Sequence, residues 1–223
     1  DGCGINNKVG SRKNVFCLLT VENLCAKRSQ VAGQVTFFCI GTGNEAASAG
    51  HTSGRIISEG EETIQLAIQS RQSSISIQIW KEYTDQIEIS IINPSGVRVG
   101  PVPEILGPHR FRIGQTEILL YYGEPSPYSI SQEIYIDLLP VESYLTEGIW
   151  RIVLSAGKIV TGQYEMWLPS DNVLNRGTGF LFPTDATTLT IPSSASRAIS
   201  VGAYDARTFA YADFSGRGFT RLT

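Results

Sequence analysis

The residue whose surroundings best suit it for chemistry is Asn44. It follows an apolar run over residues 35–40 and the short segment Gly41-Thr42-Gly43. In α/β enzymes a buried strand that ends in a glycine-flanked turn presents a polar group at the carboxyl edge of the sheet. The side-chain amide of asparagine can donate hydrogen bonds to an anion. The residues alone also fit a plain turn, in which Asn44 caps a helix or adopts a left-handed conformation.

The chain contains two histidines, His51 and His109, as candidates for acid–base chemistry. A Ser-His-Asp triad needs an imidazole between a hydroxyl and a carboxylate. His51 lies among small residues and is the better candidate, but no serine occupies a Gly-x-Ser-x-Gly elbow. His109 follows Gly107-Pro108, and we expect it in a loop at the rim of a domain. Two histidines so far apart in sequence do not suggest a metal site, so we predict no metal and no cofactor.

Three tryptophans, Trp80, Trp150 and Trp167, are candidates for a binding surface. Exposed aromatic side chains on a β-sandwich can form a platform for sugars. These three lie on predicted strands among apolar neighbours, so core packing is the preferred interpretation.

Composition and charge limit the classes of partner. The 223 residues carry 18 basic and 21 acidic side chains, a net charge of −3, which argues against nucleic acid. No apolar run approaches the roughly 18 residues that span a membrane, so we expect no membrane partner. Residues 58–168 carry seven basic against fourteen acidic side chains, while residues 1–57 carry six against three and residues 169–223 five against four. This acidic middle suggests a separate central module.

The N-terminal part predicts half of an α/β layer. Residues 1–13 read as a loop, and Asn14 could cap a helix that runs to about Ser29, followed by the strand over 35–40. The chain opens on Asp1 without an initiator Met or a signal-peptide pattern, so we expect an internal piece of a longer protein. Half a layer cannot bury its own faces and needs partners elsewhere.

All four cysteines lie in the first forty residues: Cys3, Cys17, Cys25 and Cys39. On a helix, eight residues separate two side chains by about 12 Å along the axis, so Cys17 and Cys25 cannot form a disulfide while the helix is intact. Cys39 falls in the predicted buried strand. We expect free thiols.

From Ser58 onward the apolar residues alternate with polar ones, apart from a solid apolar run over 117–122, and these patterns predict β-strands. Seven strands are clear, and two weaker ones lie near Val97 and Phe111. The clear strands span residues 63–69, 74–80, 86–92, 117–122, 132–138, 148–156 and 162–168. Their spacing indicates an antiparallel β-sandwich, and eight such strands would suit a jelly roll.

A Pro/Gly/Asp-rich connection over residues 169–190 leads to a second buried-strand pattern over residues 198–204. We therefore divide the chain into three parts: an N-terminal α/β segment over 1–57, a sandwich over 58–168, and a connection with a C-terminal α/β segment over 169–223. The fold class expected is mainly β, with a sandwich inserted between two pieces of an α/β core.

Two segments resemble elements of the subtilisin-like serine peptidases, the subtilases. Gly43-Asn44-Glu45 after an apolar strand is similar to their GNE element. The later sequence IP…AISVGAY…FSGRG, which begins at Ile191 and ends at Gly218, is similar to a segment that follows GNE in that family. The match covers residues 14–54 and 189–220. The intervening sandwich of about 110 residues resembles the jelly roll inserted in clostridial Csp-type subtilases, which process cortex-lytic enzymes during spore germination. This resemblance suggests a spore-associated or extracellular protein of a Gram-positive bacterium.

The resemblance implies roles for four residues. In subtilases the GNE asparagine donates its amide to the oxyanion of the tetrahedral intermediate, which implies that role for Asn44. It also implies that Gly41, Thr42 and Gly43 line one wall of the S1 pocket. Three positions depart from the family pattern: Thr42 and Ala46 replace the commoner Ala and Gly, and Phe219 stands where Pro is usual. None of them removes the amide donor.

The subtilase triad motifs, D-T/S-G, H-G-T and G-T-S-M-A, do not occur in the chain. His51 does not match the triad histidine in order or context and returns to a structural role. We expect a piece of a serine endopeptidase that is inactive alone. Its partners would be the rest of the catalytic domain and a protein or peptide substrate. Some Csp-type relatives have lost triad residues and act as pseudoproteases, and the sequence leaves that alternative open.

The role of the sandwich also has two interpretations. Our hypothesis is that it packs on the catalytic core and rigidifies it. The alternative is a binding module for carbohydrate or protein, with the flanks as scaffold.

Overall fold

The computed structural model of the chain describes residues 38–170, 173–195 and 198–218. The predicted helix over 14–29, the cysteines at 3, 17 and 25, and Phe219 lie outside these ranges. The chain divides into two compact units. One spans residues 49–184, and the other contains the described parts of 1–48 and 185–223. The strand pattern of residues 58–168 thus lies inside a larger compact unit.

Fifteen strands and no helix occur in the described ranges. The strands are β1 Cys39–Gly41, β2 His51–Arg55, β3 Glu61–Ile68, β4 Ile75–Glu82, β5 Ile87–Ile92, β6 Arg98–Val102, β7 Gly107–Ile113, β8 Thr116–Tyr122, β9 Ser131–Pro140, β10 Gly148–Ala156, β11 Gln163–Trp167, β12 Gly179–Phe180, β13 Ile199–Val201, β14 Tyr204–Asp205 and β15 Ala210–Tyr211. The mainly β fold predicted from the sequence is confirmed. Within the described part of the chain, no helix is long and apolar enough to cross a membrane.

The unit over residues 49–184 consists of two antiparallel sheets. One has the strand order β12-β3-β10-β5-β6 and the other β2-β11-β4-β9-β8-β7. Alternate side chains of a strand point to opposite faces, and most of the β-branched isoleucines of both sheets fall on their inner faces, while Ile149 of β10 is exposed. They form one continuous hydrophobic cluster with members from both sheets. The unit is therefore an antiparallel β-sandwich, and its assignment as a jelly roll stays a prediction.

The seven clear strands of the sequence analysis all occur, with ends that differ by at most two residues from those observed. The two weaker ones correspond to β6 and β7. The expectation that His109 lies in a loop is wrong, because it is the third residue of β7, at an edge of the six-stranded sheet. β2 had no apolar alternation to predict it. It is a strand because its backbone pairs with β11, from Arg55 opposite Gln163 to His51 opposite Trp167.

The three tryptophans separate into two groups. Trp150 is fully buried in the sandwich core, and its indole Nε1 donates to the Thr146 carbonyl at 2.9 Å. Trp80 and Trp167 are half-buried. Each follows an inward-pointing core residue, Ile79 or Met166, so each lies on the outer face of the six-stranded sheet.

A buried carboxylate ties the β4–β5 turn to the connection between β10 and β11. The Asp85 carboxylate accepts four hydrogen bonds, from the backbone amides of Val160, Thr161 and Gly162 and from the Thr161 hydroxyl, at 2.5–3.0 Å. Burial alone would raise the pKa of the Asp85 carboxyl, but these hydrogen bonds outweigh it and hold the pKa below its ordinary value.

A buried lysine at the end of β4, Lys81, leads into the same turn. The Lys81 ammonium donates to the Asp85 carbonyl at 2.5 Å and to the Glu104 carboxylate at 3.1 Å. Burial lowers the pKa of Lys81 from its ordinary value, while the carboxylates of Glu104 and Asp85 oppose that change. Since the second oxygen of Glu104 accepts from the Ile87 amide at 3.1 Å, the connection before β7 is joined to β5 as well.

The second unit is built on a parallel pair of short strands. β1 pairs with β13 in the register Cys39 to Ile199 and Gly41 to Val201, and β14 and β15 form a separate hairpin. The predicted strands at both places exist, but the prediction that they are buried is wrong for the described residues. Cys39 is a free, exposed thiol, and Ile199 and Val201 are also exposed. A two-stranded sheet has no second layer of its own to cover it.

Candidate functional site

Asn44 lies in a bend just beyond the carboxyl end of β1. Its side chain is exposed and makes no hydrogen bond within the described residues. Its φ is not positive, and no helix follows it in the described chain. The next turn closes instead through the amide and hydroxyl of Ser48, which both donate to the Glu45 carbonyl at 3.2 and 2.7 Å. The amide of Asn44 is thus neither a helix cap nor part of a left-handed turn.

The backbone around Asn44 is held by three distant segments. Thr42 donates its amide to Val201 at 3.1 Å and accepts at its carbonyl from the Thr190 amide at 3.1 Å. The Gly216 amide donates to the Gly43 carbonyl at 3.0 Å. Beyond Asn44, the Ala46 amide donates to the Phe214 carbonyl at 3.3 Å. The turn is therefore anchored on both sides of Asn44, while its side chain stays open.

The three residues predicted to form an S1 wall differ in their surroundings. Gly43 has a φ of +88°, and a Cβ there would lie 2.4 Å from the Thr190 hydroxyl oxygen, so both conformation and space require glycine. Among the residues that the structure describes, no atom lies within 4 Å of a Cβ placed on Gly41. The side chain of Thr42 is buried, and its hydroxyl lies 3.2 Å from that of Ser215. The S1 role of this segment stays a prediction.

Arg217 binds the segment over residues 185–190, which leads to the backbone around Asn44. The Arg217 guanidinium pairs with the Asp185 carboxylate. The Thr188 amide donates to the Arg217 carbonyl at 2.7 Å, and the Arg217 amide donates to the Thr188 hydroxyl at 3.0 Å. These contacts join two segments that are remote in sequence, residues 185–190 and 214–218. Together they form the scaffold of the Asn44 turn.

Sequence reasoning missed the residues that hold this turn. Ser215 and Gly216 belong to the FSGRG segment that carries the family resemblance, so the sequence marks them but does not show what they hold in place. Thr190 gave no signal at all. Its contacts with the 42–43 segment arise from the fold and leave no pattern in the local sequence.

His51 is buried in the sandwich unit, at 3% exposure. Its Nδ1 lies 3.1 Å from the carbonyl and 3.0 Å from the hydroxyl of Thr184, and its Nε2 lies 3.4 Å from the Glu165 carboxylate. Its ring also packs on Trp167, with centroids 4.8 Å apart. These contacts fit the structural role predicted for His51, because they fasten residue 184 at the end of the unit to β2 and β11.

His109 makes a different set of contacts. Its Nε2 lies 2.8 Å from the Ile105 carbonyl, and its ring meets Tyr122 edge-on. Among the residues that the structure describes, no group of three or more His, Cys, Asp or Glu side chains could hold a metal ion.

Comparison with known proteins gives a likeness among solved structures. No protein-family model matches the chain, and no curated protein does. Among solved structures the chain is similar to the CspB protease of Clostridium perfringens, with a TM-score of 0.81 and 28% sequence identity. The likeness covers 99% of this chain and 43% of the CspB protease chain, so the chain spans less than half the length of that protein. It therefore has the fold of part of a protease.

Proposed function

We propose that this chain is part of a subtilisin-like serine endopeptidase of the Csp type. The observation that carries the proposal is the likeness to the CspB protease over 99% of the chain at 28% identity. The GNE and FSGRG elements, which suggested the same family, lie in one compact unit of the structure. In this reading the flanks belong to an α/β catalytic core, and the sandwich is an insertion between them.

Asn44 is the proposed oxyanion-hole donor. Acyl transfer passes through a tetrahedral intermediate whose negative oxygen is stabilised by donors that are fixed before the reaction. The Asn44 amide fits this role, because its side chain is exposed and the backbone on both sides of it is anchored. Gly41, Thr42 and Gly43 would form one wall of the S1 pocket.

The triad residues would come from the rest of the protein, since none of their motifs occurs in these 223 residues. The serine would be acylated by a protein or peptide substrate with the histidine as base. The exposed strands β1 and β13 would pack against the remaining strands and helices of the core. The 223-residue chain by itself is expected to show no serine-inhibitor-sensitive peptide cleavage.

The test is the Asn44→Ala substitution in the full-length protein. We expect kcat to fall on the order of 10²–10³-fold, a magnitude taken from subtilisin itself, with little change in KM. Asn175→Ala is the matched control, because the Asn175 amide donates to the Ser70 carbonyl on the sandwich surface. An unchanged kcat in Asn44→Ala would remove Asn44 from the mechanism.

We further propose that the sandwich stabilises the core rather than binding a ligand. The full-length protein with and without residues 58–168 should then differ in resistance to limited proteolysis. Equal resistance of the two forms would contradict this role.

A binding module remains the second candidate, because Trp80 and Trp167 lie half-buried on the outer face of one sheet. They do not form a simple row. Trp80 lies opposite Glu165, while Trp167 lies opposite Gln78. Trp150 is packed in the core, as the preferred interpretation of the sequence expected, so the alternative of a tryptophan platform is left with two residues. Retention of the chain on a polysaccharide gel, and its loss in Trp80→Ala, would favour this function.

A further inference from the structure

One buried hydroxyl connects the two sides of the scaffold that holds the Asn44 turn. Ser215 is fully buried. Its Oγ accepts a hydrogen bond from the Ala203 amide at 2.9 Å, and it lies 3.2 Å from the Thr42 hydroxyl. A serine hydroxyl has one hydrogen and two lone pairs. The bond from Ala203 uses one lone pair and leaves both a hydrogen and a lone pair for Thr42, so the second bond forms whichever hydroxyl donates.

The backbone beside Ser215 lies so close to Thr42 that there is no room for a side chain at Gly216. A Cβ on Gly216 would lie 2.3 Å from the Thr42 carbonyl oxygen. On the other side, a Cβ on Gly202 would lie 3.1 Å from the Ser215 hydroxyl. A side chain at Gly216 would therefore displace Thr42 and one at Gly202 would press on Ser215, between the end of β13 and the start of the Asn44 turn.

Asn44 depends on this packing for its position. Its own side chain is exposed and makes no hydrogen bond within the described residues, so the anchored backbone sets the point from which the amide can reach an oxyanion. Thr42 lies two residues before it, and its backbone amide and carbonyl are both bonded. The Ser215 hydroxyl adds the side-chain bond that fixes Thr42 relative to the strand end at Ala203.

We propose that Ser215, through Thr42, is a positioning residue for the oxyanion donor Asn44. The inference rests on the proposed function of Asn44. A donor that is fixed before the reaction needs no reorganisation as charge develops, whereas a displaced donor loses much of its effect. Ser215 itself does not touch the substrate.

The test uses the full-length protein and a double-mutant cycle. We expect Ser215→Ala to lower kcat by about tenfold, because a displaced Asn44 would stabilise the oxyanion less well. KM should stay unchanged, since the contact between Asn44 and the oxyanion is made only in the transition state. In an Asn44→Ala background the same substitution should change kcat by less than about twofold. Thr42→Val removes the partner hydroxyl and should reproduce the effect. Ser90→Ala is the matched control, because Ser90 is also fully buried but accepts its hydrogen bond from Arg98 within the sandwich.

The outcomes distinguish the positioning role of Ser215 from the proposed oxyanion role of Asn44, on which it rests. A tenfold loss that persists in the Asn44→Ala background would show that Ser215 acts on stability alone, and an unchanged kcat in Ser215→Ala would also overturn the proposal. If Asn44→Ala has no effect, the proposed function fails instead.

If the full-length protein cleaves no peptide, hydrogen exchange tests the positioning role of Ser215 instead. The amide of Ala46, which is bonded across the turn, should exchange faster in Ser215→Ala and not in Ser90→Ala. Equal exchange in the two variants would overturn the positioning role.

Discussion

The two units of the chain contain similar strand sequences, but they differ in how far these strands are buried. In the sandwich unit, Ile89 lies on β5 and is fully buried between the sheets. In the flanking unit, Ile199 lies on β13 and is 47% exposed, and Val201 is 51% exposed. Both strands carry β-branched residues and both are paired, so strand propensity does not distinguish them.

The difference lies in what covers each sheet. The sandwich contains two sheets that bury each other's inner faces, so its stability is internal to residues 49–184. Within the described residues of the other unit, β1–β13 and the hairpin β14–β15 are two separate two-stranded sheets, and residues on both β1 and β13 stay exposed. The sandwich should therefore fold as an independent unit. In the flanks, the turn around Asn44 lies at the end of strands whose described residues are exposed.

The largest expected effect comes from the same substitution made in both units. Ile89→Ala removes buried methyl groups from a closed core and should lower the free energy of unfolding by about 2–5 kcal/mol. Ile199→Ala removes a half-exposed side chain and should change it by about 0.5 kcal/mol or less. Urea denaturation of the 223-residue chain measures both, with tryptophan fluorescence for the sandwich unit, which contains all three tryptophans, and far-UV circular dichroism for the strands of both units.

Equal losses for the two isoleucine variants would contradict the comparison. They would mean that β13 is covered in solution and that the two units unfold as one.

A smaller effect is expected from a pair of aspartates. Asp85→Asn leaves one acceptor oxygen and turns an NH₂ group toward backbone donors, so it should cost about 2–3 kcal/mol. Asp205 is the matched residue in the flanking unit, where its exposed carboxylate accepts one bond from the Arg207 amide at 2.8 Å. Asp205→Asn should cost about 0.5 kcal/mol or less. The midpoint and slope of the same denaturation experiment give both values, and a loss below 1 kcal/mol for Asp85→Asn would show that the buried turn contributes little.

The sequence predicted the sandwich well because period-two alternation of apolar residues is a local signal. Six of the seven clear strands between Thr63 and Leu168 show this alternation, and the strand over 117–122 shows a solid apolar run. β2 could not be predicted, because HTSGR has no alternation and becomes a strand only through its pairing with β11. The burial of β1 and β13 was predicted wrongly for the same kind of reason. An apolar run shows that a strand prefers burial, but only the surrounding layers decide whether it is buried.

The candidate site was predictable only in part. Asn44 could be identified, because a polar residue beside glycines at a strand end is visible in the sequence. The bond between Thr42 and Ser215 joins residues 173 positions apart, with the whole sandwich between them. No local pattern reports such a contact. Residues that position a site therefore escape sequence reasoning more readily than the residue that they position.

The smallest expected effect is the pH dependence of the Asp85 contribution, since it is only the charge-dependent part of that interaction. The pKa of Asp85 in the folded protein lies below its ordinary value of 3.8. The charged carboxylate therefore stabilises the fold above about pH 4, and this contribution is lost as the pH falls from there through the lowered folded-state pKa. The difference in unfolding free energy between wild type and Asp85→Asn should narrow between pH 5 and pH 2, and subtracting the two curves removes the other carboxylates. Thr161→Val keeps the carboxylate and three of its four hydrogen bonds, so its curve should fall between the two. A constant difference across this range would mean that the carboxylate gains nothing from its charge, and that the turn is held by geometry alone.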